Sequence, residues 1–455
     1  GSCGTCGPQS TCNAGICSGC QPECQGKSCG DDGCGGSCGT CGPQSTCNAG
    51  ICSECQPECQ DKECGDDGCG GSCGGCNDGN ACTVDFCSAE QTCSATEMAL
   101  MPCPEPPCAV NNQCIYDIPR SLLSSTERIA LISAQGVLAQ HRPAIWLGGG
   151  QSLPLHRARL VDEFGVNFVE VNELWPLIAR FSESLSGYLI YEPNTSSQSV
   201  ALSLAGVLGG VAVTEALESK AQAAGLSLLL DVRGLDEAWC WDNYKEQFAT
   251  HMLTEQEEST GFGEWLLDYP ISERAFIYFD ETCGDLRTEL ASQLDRPMIY
   301  GWGAGCGEYD FVKGASLGGA SVVASDYSSN LSVFSRVEGA PITGNKHHDP
   351  NEAIEDGVHY VAFLMSDGDN IQFIQNAFND AKWWGSPERG NFAMNWEVSP
   401  ILPQVAPTFL TWLYASASAN DYAVAAPSGA GYALPSLHTD LLAFAQASDA
   451  AMVRP

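Results

Sequence analysis

The sequence CGTCGPQSTCNAGIC at residues 3–17 returns without change at residues 38–52. The shared register continues to residue 69, so that each 35-residue block carries eight cysteines and few large apolar side chains. A fixed period of this length indicates a tandem array. Because so small a block cannot bury enough apolar surface, covalent cross-links have to stabilise it. The blocks therefore predict small disulfide-rich repeats with little regular secondary structure.

Cysteine usage divides the chain into two parts of different composition. Of the 27 cysteines, 24 lie between Cys3 and Cys114. The C-x-x-C pairs also suit zinc, but no histidine precedes His141, so we expect disulfides, whose pairing the sequence does not give. Disulfides require an oxidising compartment, which predicts a protein that is secreted or displayed at the cell surface. No leader precedes Gly1, and we interpret the chain as an exported one whose signal peptide is absent from this sequence.

Charge and hydropathy exclude several classes of partner. The net charge is −36, of which −13 falls in residues 1–119, so both parts of the chain repel nucleic acid and anionic lipid. The longest mostly apolar stretch, residues 200–213, is too short to span a membrane and is interpreted as a core element. An acidic surface is compatible with calcium, with neutral sugars, or simply with solubility.

Composition and spacing suggest five regions along the chain. From about residue 119, short apolar runs alternate with amphipathic ones, which predicts an α/β body with parallel sheets. Strands are predicted at residues 144–147, 168–171, 188–191, 226–232, 275–279, 297–301, 359–365 and 392–396, with helices at 124–140 and 214–224. The regions are repeat one (1–37), repeat two (38–72), a third cysteine-rich module with a proline-rich junction (73–118), an N-terminal α/β region (119–346) and a C-terminal region (347–455).

Functional side chains in parallel α/β folds collect at the carboxyl ends of strands. The residues at those positions form a carboxylate-rich inventory that includes Asp326. The sharpest motif is SDGDN at residues 366–370, directly after the apolar run 359–365. Two carboxylates beside a glycine and an amide can ligate a hard cation, act as an acid and base pair at a sugar, or form an ordinary turn.

A second motif, GASLG at residues 314–318, matches the pattern of a serine hydrolase nucleophile. That pattern requires a buried strand before the serine and a helix after it. The preceding segment is polar and the following one looks extended, so we interpret the motif as a glycine-rich turn.

The sequence GAGYALP at residues 429–435, together with YVAFLMSDGDN at 360–370, resembles the GxGYxYP family of glycoside-hydrolase-like proteins. Further matches follow in order, among them DVRG at 231–234, Trp302, Glu308 and Asp421, and the resemblance spans residues 119–455. It implies carbohydrate processing and an N-terminal α/β region followed by a barrel-like C-terminal part. The second tyrosine of the signature is Leu434 here, which implies the loss of a sugar contact. The chain ends 20 residues after the signature, where the family's domain is expected to continue.

The resemblance and the inventory together give two hypotheses. The first is a carbohydrate-active hydrolase acting on a glycan, with Asp367, Asp369 and Glu397 as catalytic residues. Calcium, held by Asp367 and Asp369, is the only candidate cofactor. The residues expected to bind substrate are Asp231, Arg233, Trp302, Glu308, Asn370, Asp421 and Tyr432. The second hypothesis is a structural or adhesive protein that self-assembles through its cysteine-rich repeats into a fibre, with a noncatalytic body.

Overall fold

The structure is a computed structural model of the 455-residue chain. In the body it describes residues 114–149, 153–256, 264–279, 285–303, 307–342, 355–426 and 429–452. In the cysteine-rich part it describes residues 10–13, 16–19, 23–33, 37–39, 41, 45–54, 59–60, 62, 64, 73, 83–87 and 92–97. The predicted domain boundary at residues 346–347 and the proline-rich stretch 102–107 lie outside the described residues. The chain forms two compact units, residues 1–111 and 112–455.

The first unit contains three short antiparallel hairpins and several disulfides. The hairpin strands are β1 (Ser10–Asn13) with β2 (Ile16–Gly19), β3 (Ser45–Asn48) with β4 (Ile51–Glu54), and β5 (Thr83–Cys87) with β6 (Cys93–Glu97). The bridges are Cys24–Cys38, Cys29–Cys47, Cys41–Cys52 and Cys59–Cys73. Two of them join the first block to the second, and Cys59–Cys73 repeats Cys24–Cys38 at an offset of 35 residues.

These bridges decide between disulfides and zinc for the C-x-x-C pair at Cys38 and Cys41. Each of the two cysteines is bonded to a different partner, Cys24 and Cys52. A bonded sulfur is not available as a thiolate ligand. The prediction of a disulfide framework is confirmed.

The second unit is an α/β body in which every described strand pair is parallel. Four sheets have the orders β8-β7-β9, β11-β10-β12, β14-β13-β15-β16 and β17-β18-β19. The strands are β7 (Cys114–Pro119), β8 (Ile145–Gly148), β9 (Asn167–Glu170), β10 (Gly187–Tyr191), β11 (Gly210–Thr214), β12 (Leu228–Asp231), β13 (Met252–Gln256), β14 (Phe276–Phe279), β15 (Met298–Trp302), β16 (Ser321–Val323), β17 (Leu364–Met365), β18 (Met394–Val398) and β19 (Asp421–Ala425). The described strands of the part expected to be barrel-like form the last, three-stranded sheet.

Helices provide the crossovers that parallel strands require. They are α1 (Ser125–Ala139), α2 (Leu153–Asp162), α3 (Leu174–Arg180), α4 (Ser196–Leu208), α5 (Glu218–Ala223), α6 (Glu237–Tyr244), α7 (Asp268–Glu273), α8 (Leu286–Ser292), α9 (Glu308–Leu317), α10 (Leu331–Phe334), α11 (Ile371–Asn376), α12 (Leu402–Val405), α13 (Pro407–Ser416) and α14 (Leu441–Met452). Helix α1 begins with a capping box, in which Ser124 accepts from the Glu127 amide and the Glu127 carboxylate accepts from the Ser124 amide. Among the described residues, no helix combines the length and apolarity needed to cross a membrane.

Two predictions are corrected by these elements, and the prediction of a core element at 200–213 is confirmed by its burial. The strand expected at 359–365 is reduced to β17, and Tyr360 and Val361 before it are 60% and 75% exposed. The core element at 200–213 is the second half of α4 followed by β11. The motif GASLG is neither a nucleophile elbow nor a turn, since Ser316 lies buried in the last turn of α9, where its hydroxyl donates to the Val312 carbonyl.

Candidate active site

One cavity gathers side chains from the carboxyl ends of β15, β16, β17 and β18. It has a volume of about 460 Å³, within the usual range for a small-molecule site. Five carboxylates line it, together with two aromatic rings, and its described lining includes no lysine, arginine or histidine. The lining residues are Trp302, Glu308, Val322, Ala324, Asp326, Ser366, Asp367, Asp369, Asn370, Gln372, Glu397 and Tyr432.

The SDGDN segment turns the chain from β17 into α11. Asp367 has a left-handed backbone (φ +69°), a conformation that costs a residue with a Cβ about 1 kcal/mol. A side chain on Gly368 would overlap the carbonyl oxygen of Glu397, so that only glycine lets the two segments meet. Asn370 caps α11 by accepting from the Phe373 amide, 3.0 Å away. The segment is therefore both a constrained turn and the edge of the cavity.

Glu397 is the deepest carboxylate of the cavity. It lies one residue beyond Trp396, which pairs with Met365 of the neighbouring strand, and it is only 3% exposed. Burial raises the pKa of this carboxyl, and the negative charges of Asp369 and Asp367 raise it further, while backbone hydrogen bonds from Gly368 and Asp367 oppose the change. Glu397 is thus biased toward its protonated form beside more exposed carboxylates.

The GAGYALP segment places Tyr432 in the same cavity. Gly429 and Gly431 have φ of +71° and +115°, and a Cβ on Gly431 would lie 2.6 Å from the Ser321 hydroxyl. This close approach allows Tyr432 to pair with Val322 through two backbone hydrogen bonds of 2.6 and 2.8 Å. Gly431 is therefore explained by a backbone packed against β16, whereas a Cβ on Gly429 would collide with the Ser448 side chain of α14.

The Tyr432 ring stands at the cavity with its hydroxyl on Glu308. The hydroxyl donates to Glu308 Oε1 over 2.9 Å, and the pKa of Tyr432 is raised by burial and by this contact. Trp302 contributes a second ring, held by a tilted contact to Phe311 with centroids 5.0 Å apart. Leu434 packs against the core, and it is absent from the cavity lining.

Three of the ten predicted site residues lie elsewhere. Asp231 and Arg233 form an ion pair of 2.6 Å at the end of β12, in a different sheet. Asp421 starts β19 and is buried, where it accepts from Trp396 Nε1 at 2.8 Å and from Arg389 Nη1 at 2.6 Å. Asp421 thus holds two side chains in place, and these three residues are not part of the cavity.

Five lining residues were not among the predicted site residues: Val322, Ala324, Asp326, Ser366 and Gln372. Asp326, which is 4% exposed, follows β16, and its position at a strand end placed it in the carboxylate inventory. Gln372 lies in the first turn of α11, where its side chain accepts from the Tyr327 amide, and no sequence pattern indicated it.

The assignment of Asp367 and Asp369 as calcium ligands stays a prediction. Within the described part of the chain, Cys29, Cys41 and Cys47 are the one group of three or more ligand atoms lying within 4.8 Å of one another, and they are bridged. Calcium normally takes six to eight oxygen ligands. Asp367 and Asp369 face the cavity, and at the described residues they do not belong to a group of three mutually close ligand atoms.

Three family models match the body. They are described as "GxGYxYP_N second domain" (residues 185–248), "GxGYxYP third domain" (251–336) and "GxGYxYP putative glycoside hydrolase C-terminal domain" (357–454). The chain belongs to the GxGYxYP family. The C-terminal match covers both the SDGDN segment and the GAGYALP signature of this GxGYxYP protein, which hold the cavity together.

The body is also similar to a solved structure, and the cysteine-rich part matches a further family model. The GxGYxYP body is similar to a solved structure described as "a putative hydrolase from Bacteroides thetaiotaomicron", with 29% identity, a TM-score of 0.64, and coverage of 75% of this chain and 67% of that chain. Residues 75–98 match the model "Dictyostelium (slime mold) repeat". No curated protein matches the chain.

Proposed function

We propose that this GxGYxYP protein hydrolyses glycosidic bonds at the cavity, with Glu397 as general acid and Asp369 as its ionised partner. The observation that carries the proposal is the convergence of a buried carboxyl, biased toward protonation, with further carboxylates and two aromatic rings. Paired carboxylic groups in different protonation states are what glycoside hydrolysis requires. A cavity lined by acids without cations also favours a neutral sugar over a phosphorylated substrate.

In the reaction, the Glu397 carboxyl gives its proton to the leaving glycosidic oxygen as the bond to the anomeric carbon breaks. If Asp369 attacks that carbon, water then displaces it from the covalent glycosyl intermediate and gives its proton to Glu397. If Asp369 instead takes a proton from the attacking water, it releases that proton to solvent, and Glu397 is reprotonated from solvent. Trp302 and Tyr432 offer faces on which a sugar ring can stack. The anomeric configuration of the first product, read by NMR, separates the two roles of Asp369.

The test compares Glu397→Gln and Asp369→Asn on two matched glycoside panels. Dinitrophenyl glycosides release a leaving group that needs no proton, whereas alkyl glycosides depend on the acid. In Glu397→Gln, kcat/KM should fall about 10²- to 10⁴-fold on alkyl glycosides and change little on dinitrophenyl glycosides. Asp369→Asn should lose activity on both, and azide should restore it if the residue attacks directly.

Asp162→Asn is the matched control, since it neutralises an exposed carboxylate in α2, away from the cavity lining. Its rates should equal those of the unmodified protein. Unchanged rates in Glu397→Gln on alkyl glycosides would remove Glu397 from the mechanism.

We also propose that the protein works outside the cell. Four described disulfides support this location, because such bridges persist in oxidising compartments. When the protein is exported to an oxidising compartment, it should remain active there. Non-reducing mass spectrometry should show that its bridges are intact.

The alternative of an adhesive or fibrous protein is favoured by one observation. Bridges at a 35-residue offset, Cys24–Cys38 and Cys59–Cys73, link successive parts of the repeat array. Electron microscopy discriminates between the two: ordered polymers without glycan cleavage support the fibre, and monodisperse cleaving particles support the hydrolase.

A further inference from the structure

A second cavity, of about 650 Å³, lies at the carboxyl ends of β10, β11 and β12. Residues that follow all three strands line it, among them Tyr191, Thr214 and Arg233, and Thr126 from the start of α1 joins them. The sheet order β11-β10-β12 means that the chain leaves β10 toward one side and returns on the other. Crevices at such switch points are where parallel sheets bind ligands.

One residue in the lining of this cavity, Tyr191, carries an unused hydrogen-bonding group. Tyr191 is 1% exposed, and its hydroxyl oxygen has no hydrogen-bond partner among the residues that the structure describes. Burial raises the pKa of this phenol, so it keeps its proton. A buried hydroxyl without a partner costs about 1–3 kcal/mol, which a ligand could recover.

The charges of the walls define the kind of ligand. Arg233 is held by Asp231 at 2.6 Å and by Glu215 at 3.1 Å, so its charge is balanced, and Glu192 adds another acid. An anion therefore finds no net positive wall. A metal ion finds no group of three close ligands at these described residues.

We propose that this cavity binds a neutral polyhydroxylated ligand, a saccharide unit, separately from the active-site cavity. Sugar hydroxyls donate to carboxylates such as Glu192 and Glu215, and they accept from Tyr191. Pro193 and Ala216 supply small apolar surfaces against which a ring can lie. The site would hold a second part of a glycan, or a second glycan, without cleaving it. It does not depend on the chemistry proposed for Glu397.

The test is isothermal titration with maltotriose, cellotriose, xylotriose and mannotriose. It uses the full chain carrying Trp302→Ala, which weakens binding at the active-site cavity. At least one trisaccharide should still bind with a stoichiometry of one. Adding Tyr191→Phe should weaken that binding about three- to tenfold, the effect of losing one neutral hydrogen bond. Thr214→Val is a second variant that removes only a wall hydroxyl and should act in the same direction.

Tyr300→Phe is the matched control, because it removes another buried phenolic hydroxyl from a tyrosine that contacts Tyr269 instead of the cavity. Its trisaccharide affinity should be unchanged. The proposal is overturned if no trisaccharide binds the Trp302→Ala protein, if Tyr191→Phe and Tyr300→Phe have equal affinities, or if sulfate binds there in place of the sugars.

Discussion

Asp268 offers a quantitative test of how burial acts on a carboxyl group in this fold. The residue starts α7, is 2% exposed, and accepts a hydrogen bond from the Ser332 amide over 2.8 Å. Burial raises its pKa from 3.8 to about 6, and the hydrogen bonds oppose that change only in part. Ionisation in the folded state is therefore unfavourable, and Asp268→Asn removes it while keeping an acceptor for Ser332.

The direction in which stability changes with pH follows from the pKa of Asp268 in the folded and in the unfolded chain. Below about pH 4 the carboxyl is protonated in the folded and the unfolded chain, so ionisation adds no cost. Between pH 4 and 6 the unfolded chain loses the proton first, and the folded state becomes progressively less stable. Above pH 6 the cost is constant, and a shift of about 2 units corresponds to about 3 kcal/mol.

The assay is urea unfolding, followed by tryptophan fluorescence at pH 4, 5, 6, 7 and 8. The free energy of unfolding of Asp268→Asn, minus that of the unmodified protein, should grow by about 3 kcal/mol from pH 4 to 7 and then level off. The exposed Asp162→Asn variant should stay within about 0.5 kcal/mol at each pH. A difference for Asp268→Asn that is flat with pH, or that shrinks as pH rises, refutes the reasoning.

Four further outcomes are expected. The rate on alkyl glycosides should fall as pH rises through the raised pKa of Glu397, and the Glu397→Gln variant should lose this limb of the pH profile, which kcat/KM measurements check. Gly368→Ala should reduce both kcat and the melting temperature of the body, because a Cβ collides with the backbone carbonyl of Glu397; an unchanged kcat and melting temperature would contradict this geometry. Ser316→Ala should retain hydrolysis and lose about 1 kcal/mol of stability, whereas complete inactivation would restore a nucleophile role. Removing one bridge with Cys24→Ser and Cys38→Ser should lower the free energy of unfolding of the cysteine-rich unit, residues 1–111, by about 3 kcal/mol. Proteolysis within residues 1–111 should then be faster, with the body's melting temperature unchanged.

The sequence was sufficient to locate most residues of the candidate active-site cavity. Strands rich in apolar residues, such as β15 and β18, are visible as runs, and the polar residues that end them converge as parallel topology requires. Seven of the ten predicted residues line the cavity: Trp302, Glu308, Asp367, Asp369, Asn370, Glu397 and Tyr432. Tyr432 lies in the GAGYALP segment, and the family resemblance indicated it instead of a strand end.

The rule that strand-end residues converge does not say which sheet a strand belongs to, and it gave wrong site residues for that reason. Asp231 and Arg233 also follow a strand, but the body contains four sheets, and theirs ends at the second cavity. Strand β13 was missed because Thr254, Glu255 and Gln256 look like surface residues, although each is 0% exposed. Glu255 is buried because Arg287 and Tyr278 bind it, and such long-range partners leave no local sequence signal.

The overlapping bridges of the cysteine-rich unit have a mechanical consequence. From Cys24 to Cys52, the shortest covalent path crosses the Cys24–Cys38 bridge, follows the chain over 38–41, and crosses the Cys41–Cys52 bridge. Tension applied along the chain therefore runs through only a short piece of backbone, and the rest of that 29-residue span is shielded from stretching. A segment bridged in this way would keep its length under drag from flow or from a tethered polymer, until a reductant opened its disulfides.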